Sequence, residues 1–135
     1  MRLVVDTSAL MAILRSEPEA SHMLGILGTA EQSLFSAASL LEASIVTAGR
    51  GSEGNRLAEL VQDAELEIVT FSEKDAAVGA EAFRRYGRGS RHPANLNFGD
   101  CFSYALAKTR NLPLLFKGGD FVHTDIEPAL KPARR

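Results

Sequence analysis

Leu3-Val4-Val5-Asp6-Thr7-Ser8 is an apolar run that stops abruptly at an acid and two hydroxyls. Two valines beside a leucine suit a strand, and the lack of polar alternation suits one buried on both faces of a parallel sheet. Such a strand delivers Asp6 to the carboxyl edge of the sheet, where parallel α/β folds place their ligand sites. Leu34-Phe35-Ser36, Leu66-Glu67-Ile68-Val69 and Leu114-Leu115-Phe116 read as further short strands.

Helical stretches separate these runs. Residues 8–15 carry Leu10, Met11, Ile13 and Leu14. A second helix is expected from Glu17-Pro18-Glu19 to about Gly28, with Pro18 in its first turn. Residues 37–48 lack Gly and Pro, and 56–64 place Leu57, Leu60, Val61 and Ala64 on one stripe. Ser72, with Asp75 three residues on, predicts a capped helix reaching Arg85. Residues 99–109 form another, and residues 86–96, rich in Gly, Arg, Ser and Pro, form a loop. A last short strand is expected at residues 124–126. This alternation predicts an α/β fold with a mostly parallel central sheet covered on both faces.

The bulk numbers bound the function. A length of 135 residues predicts one domain, residues 1–130, followed by a basic tail over 131–135. A formal net charge of -2 gives no global attraction to nucleic acid, so any such binding must come from a local patch or a metal. The single cysteine, Cys101, excludes an intrachain disulfide. Three apolar residues before Asp6 fall far short of a signal-peptide core or a membrane span, so a soluble cytoplasmic protein is expected.

Four acids lie in or beside apolar segments, where an unpaired charge is costly: Asp6, Glu42, Asp100 and Asp120. Asp6 and Asp120 follow strands and belong at the same sheet edge. Glu42, with Ala38, Ser39, Ile45 and Val46 at helical spacing, is expected on or beside an inward-facing stripe. Asp100 sits in the first turn of its helix, with Ser103, Tyr104 and Ala107 on the same face. Each acid alone has a structural explanation: a helix cap, a turn residue or an ion pair. Together they meet the charge cost through one hard divalent cation, because carboxylates without paired His or Cys suit Mg²⁺ or Mn²⁺. One or two such ions suit phosphodiester hydrolysis. Thr7, Ser8, Ser39 and Thr124 are hydroxyls able to hold a water or ligand nearby, and capping of the first helix is assigned to Thr7 or Ser8 rather than Asp6.

With these acids placed, the chain resembles PIN-domain proteins of the VapC toxin type. The matching stretches are Val4-Val5-Asp6-Thr7-Ser8-Ala9-Leu10, Ser36-Ala37-Ala38-Ser39-Leu40-Leu41-Glu42-Ala43, the run from Leu96 through Asn97-Phe98-Gly99-Asp100-Cys101 to Ala107, and Leu114-Leu115-Phe116-Lys117-Gly118-Gly119-Asp120-Phe121, continuing to Thr124-Asp125-Ile126. The resemblance implies a three-layer α/β/α sandwich and metal-dependent endoribonuclease activity, with Asp6, Glu42, Asp100 and Asp120 both catalytic and metal-binding. It implies structured targets such as tRNA or rRNA, and hence inhibition of translation. It also implies a homodimer and a VapB-type antitoxin that inserts near the active site and contacts operator DNA through its own domain. Gly119 departs from the pattern, where Asn or Asp is common, so an auxiliary metal or water contact is expected to be missing. Asp125 is read as part of a closing strand or turn rather than an outer acid.

Arg84, Arg85, Arg88 and Arg91, with His92, form a local basic cluster suited to an RNA backbone, or equally to a solvated helix end. His22 and His123 have no partner pattern, and Cys101 reads as a small buried hydrophobe. Two alternatives come from other classes. A non-catalytic PIN-like binding module would be expected to lose acids, whereas all four are present. An aspartate phosphotransfer domain needs an acid two residues past Asp6, where Ser8 stands, or adjacent acids near the first strand.

Overall fold

A computed structural model describes residues 1–131; the tail over 132–135 lies outside the described residues. Four strands form one parallel sheet: β1 (Arg2–Val5), β2 (Gln32–Ser36), β3 (Glu67–Val69) and β4 (Leu114–Leu115), in the order β3-β2-β1-β4. Val4 pairs with Leu34 on one side and Leu114 on the other, and Leu34 pairs in turn with Glu67. From β1 the chain builds outward to β2 and β3, then returns to lay β4 on the opposite side of β1. The strand order therefore reverses between β1 and β4, and the crevice beyond their carboxyl ends is where such sheets bind ligands.

Strand residues alternate between two cores, as the period of a strand demands. Leu3, Val5, Phe35 and Leu115 face α1 (Thr7–Leu14), α2 (Ala20–Thr29), α3 (Ala37–Thr47) and α4 (Glu53–Asp63). Val4, Leu34, Val69 and Leu114 face α5 (Glu73–Tyr86) and α6 (Phe98–Arg110). The result is the expected three-layer α/β/α sandwich. Phe35 is fully buried, so Phe35→Ala is expected to destabilise by about 3–5 kcal/mol.

Local chemistry sets the helix starts. Ser72 and Asp75 form the expected capping box at α5, and Asn97 and Asp100 form a second at α6. Three expectations differ from the structure. α2 begins at Ala20, because Glu17-Pro18-Glu19 closes a turn after α1 instead of opening a helix. α4 begins earlier than expected, at Glu53, and takes Gly54 into its first turn. Residues 124–126 form no strand: a 3-10 turn at Phe121–His123 ends at Thr124, whose hydroxyl donates to Phe121 O (2.7 Å) and accepts from Ile126 N (3.2 Å). Those bonds close a turn that an extended strand cannot make. Among the described residues, no helix is long and apolar enough to cross a membrane.

Candidate active site

Asp6 ends β1, and its backbone N–H donates to Leu115 O at 2.9 Å, which sets it beside the end of β4. The residue is 3% exposed. Its Oδ2 accepts from Ser8 N (3.0 Å) and its Oδ1 from Ser103 Oγ (2.5 Å). Asp6 is therefore the N-cap of α1. This corrects the assignment of the cap to Thr7 or Ser8, which lie inside the helix and whose hydroxyls are engaged elsewhere: Thr7 Oγ1 lies within donating reach of Ser39 O (3.3 Å) and Ser8 Oγ accepts from Lys117 N (3.0 Å). Ser103 Oγ is also 3.4 Å from Ser39 Oγ, and both serines are fully buried.

Glu42, on α3, stands on a boundary. Ser39 and Ala43 beside it are fully buried, whereas Ile45 and Val46 are exposed, so the expected inward stripe holds on one flank only. Burial pushes the Glu42 carboxyl up, a bond from the Thr7 hydroxyl offsets part of this, and the charge of Asp6 adds to the rise. Thr7 has one proton for two acceptors, since Ser39 O also lies 3.3 Å from its Oγ1. The carboxylate is the stronger acceptor of the two. The Glu42 carboxylate lies over the backbone of Gly99, where a Cβ would overlap it.

Asp100 occupies the third position of α6. Its Oδ2 accepts from Asn97 N (3.0 Å), while Asn97 Oδ1 accepts from Asp100 N (2.9 Å). The acid thus serves as a helix-start residue and a member of the acidic group at once. Burial raises its carboxyl most, the Asn97 amide opposes this, and the charges of Asp6, Asp120 and Glu42 lift it to about 7.

Asp120 is the exposed member, following Gly118 (φ +105°) and Gly119. Its side chain caps nothing, while Phe121 anchors the loop against Phe116 with ring centroids 5.1 Å apart. Lys117, nearby in sequence, is committed elsewhere: its Nζ pairs with Glu17 and lies 3.6 Å from Glu19.

The fold brings Asp6, Glu42 and Asp100 near one another through Ser103, Thr7 and Gly99, while Asp120 reaches Asp100 only through its charge. As placed, no three His, Cys, Asp or Glu side chains among the described residues converge to hold one metal ion. The donor chemistry nonetheless fits a hard cation. Every candidate ligand is an oxygen, and the charged form of Asp100, disfavoured by burial first and by its acidic neighbours after, is favoured by positive charge. The supporting hydroxyls are already engaged: Ser8 Oγ accepts from Lys117 N (3.0 Å), and Thr124 serves its own turn. Cys101 is buried as expected, its thiol pushed up to about 11 first by burial and then by Asp100.

The basic cluster lies on the chain that leads into α6. Arg84 and Arg85 end α5, and Arg88 and Arg91 sit in the loop closed by the Gly87–Leu96 bridge. Arg84 pairs with Glu81, and Arg85 lies 4.8 Å over the Tyr86 ring. Beside Glu42 an open apolar groove of about 320 Å³ is lined by Leu41, Ile45, Phe98 and Phe102. Phe98 is 77% exposed and Ile45 66%, which no core requirement explains. The sequence reading missed this strip and the roles of Ser103 and Gly99. A serine on the otherwise apolar face of α6, three residues past an acid, was the available signal for Ser103.

The PIN domain family matches residues 3–127. Ribonuclease VapC28 of Mycobacterium tuberculosis is 45% identical over 130 residues, covering 95% of this chain and 98% of that protein. Ribonuclease VapC30 of the same species is 44% identical over 132 residues, covering 96% and 100%. Among solved structures, M. tuberculosis VapC20, a sarcin-ricin loop cleaving toxin, superposes with a TM-score of 0.71 at 16% identity, over 93% of this chain and 99% of that one. VapBC2 of Rickettsia felis, bound to a DNA fragment from its promoter, gives a TM-score of 0.70 at 16% identity, over 95% and 96%.

Proposed function

The chain belongs to the PIN-domain family and, within it, to the VapC ribonucleases, and on that footing we propose that Asp6, Glu42, Asp100 and Asp120 form the site at which this toxin hydrolyses phosphodiester bonds in structured RNA. The targets are tRNA or rRNA, and cutting them in the cytoplasm stops translation. The observation that carries the site is the meeting of β1, α3 and α6: Ser103 of α6 donates to Asp6, and the Glu42 carboxylate lies over Gly99, next to Asp100.

One or two Mg²⁺ or Mn²⁺ ions are held by these acids and, when bound, supply Lewis acidity toward water and phosphate. Asp6 is the fixed member, its two oxygens oriented by Ser8 N and Ser103 Oγ. Asp100 Oδ2 is committed to Asn97 N, so the outward-acting oxygen is Oδ1. Glu42 is positioned by Thr7 and by the space above Gly99. Asp120 is carried, exposed, on the glycine-containing loop that follows β4. Arg84, Arg85, Arg88 and Arg91 bind the RNA backbone.

The toxin forms a homodimer and is neutralised by a VapB-type antitoxin, through which alone it meets operator DNA. The exposed strip of Leu41, Ile45 and Phe98 beside Glu42 supports a protein partner close to the site. The test is RNA cleavage by purified protein in Mg²⁺, Mn²⁺ and chelator, with Asp6→Asn and Asp100→Asn alongside. Cleavage is expected only from wild type with metal; equal behaviour of all three proteins defeats the reading.

A further inference from the structure

Asp100, Tyr104 and Lys108 are spaced by four in α6 and stand on one stripe. Asp125, beyond the 3-10 turn, spans the lower two. Its Oδ1 accepts from Tyr104 Oη (2.6 Å) and its Oδ2 from Lys108 Nζ (2.7 Å). Five residues earlier in the same segment is Asp120, whose charge acts on Asp100 at the top of that stripe. We infer that Asp125 is a positioning residue, clamping the segment that carries Asp120 onto the helix that carries Asp100 and so setting the spacing of the two acids.

The Lys108 contact alone would be a surface ion pair of small worth, since both side chains are well exposed. The Tyr104 contact is different. Tyr104 is 3% exposed, and a buried phenol requires a partner. Asp125 is that partner, so the clamp reaches into the core. Both its oxygens are used in this way, which leaves it no role as an outer acid. The rest of the segment meets α6 only through apolar packing, with Phe121 and Ile126 in the same core as Tyr104 and Ala107. Gly118 and Gly119 are exposed, and Phe121 packs on Phe116 of the β4 side. Without Asp125, the segment keeps its apolar seat and loses the directional polar tie that fixes its register against α6.

The inference rests on the metal-site reading above, and two measurements separate the two. The first is Mn²⁺ binding to RNA-free protein by electron paramagnetic resonance. Asp125→Ala is expected to weaken binding about tenfold, the low end for an outer partner of a ligand. The loss should vanish when Asp120 is already Asn, because the clamp acts through Asp120. Unchanged affinity, or an equal loss in the Asp120→Asn background, overturns the inference. The second is amide hydrogen exchange on metal-free protein. Asp125→Ala should speed exchange over residues 118–124 while α5 stays unchanged; no difference there also overturns it. If wild type binds no Mn²⁺, the metal reading fails, and the exchange measurement alone decides whether Asp125 orders the segment. Tyr104→Phe keeps the ring in the core and carries both measurements should Asp125→Ala not fold.

Discussion

Gly99 leaves the space that the Glu42 carboxylate fills: a Cβ at position 99 would overlap Glu42 Oε2. The two residues lie on α6 and α3, and the close approach is where those helices meet. Gly99 does not have the positive φ that would demand glycine for its backbone, so the requirement is the neighbouring carboxylate alone. Gly99→Ala should therefore displace Glu42 while leaving the helix intact, and alanine even favours helix by up to about 1 kcal/mol. The expected result is a loss of RNA cleavage of more than tenfold with thermal stability within a few degrees of wild type. Full activity would show that Glu42 is not needed where it stands.

Asp100 gives a pH dependence with a defined sign. Its carboxyl is lifted from the ordinary 3.8 to about 7, by burial first and then by Asp6, Asp120 and Glu42. The folded protein therefore holds a proton that the unfolded chain releases above about pH 4, and stability falls as pH rises through that interval. Metal-free protein should melt at a lower temperature at pH 8 than at pH 5. Mg²⁺ or Mn²⁺ should recover most of the difference at pH 8. Asp100→Asn should flatten the profile; an unaltered slope in that variant assigns the effect to other groups.

The fold was legible because burial on both faces leaves a mark: Leu3-Val4-Val5 and Leu114-Leu115 have no polar alternation, and each proved a strand of the parallel sheet, β1 inside it and β4 at its edge but still fully buried. The expectation that the four acids act together came from a related reason, since charge among apolar residues needs company. What the sequence hid is contact between distant segments. Ser103 meets Asp6 across 97 residues, and Gly99 meets Glu42 across two helices. Ile45 and Val46 misled because an apolar residue at helical spacing looks inward whether it covers a core or waits for a partner. Residues 124–126 misled because Thr124 and Ile126 have strand propensity, and the side-chain turn made by Thr124 overrides it.

Ser103→Ala tests the support beneath Asp6. The serine is fully buried and donates to Asp6 Oδ1, so its loss leaves a buried carboxylate oxygen short of a donor. Hydrogen bonds to charged groups contribute about 1.5–3 kcal/mol, and the variant should lose stability in that range. Chemical denaturation measures it directly. Asp6→Ala combined with Ser103→Ala should lose less than the sum of the two, because each removes the same bond. Strict additivity would mean the two side chains act independently.

The apolar strip predicts how the partner is held. Ile45 is 66% exposed and Leu41 62%, so a charge at either position disturbs no core. Ile45→Glu should leave melting temperature and RNA cleavage close to wild type, yet weaken antitoxin binding or self-association by at least tenfold. Size-exclusion chromatography reads the second, and titration with the antitoxin expressed beside the toxin reads the first. Unchanged assembly in both would leave the strip without a protein partner.

The basic residues differ in how free they are to meet phosphate, and that ranks their effects. Arg88 and Arg91 sit exposed in the loop leading to α6, with Arg91 held at φ +64°. Arg84 is already paired with Glu81 on the same helix turn. Each phosphate contact adds roughly 0.7–0.9 to the slope of log affinity against log salt. Binding of tRNA to catalytically silent Asp100→Asn protein should therefore lose between one and two units of slope in Arg88→Gln/Arg91→Gln, and less in Arg84→Gln. With a net charge of -2, nothing else in the chain's overall charge compensates, so the affinity loss should be large at low salt and shrink as salt rises. A slope unchanged by the double substitution would place the RNA on another face of the sheet edge and reassign this loop to solvent.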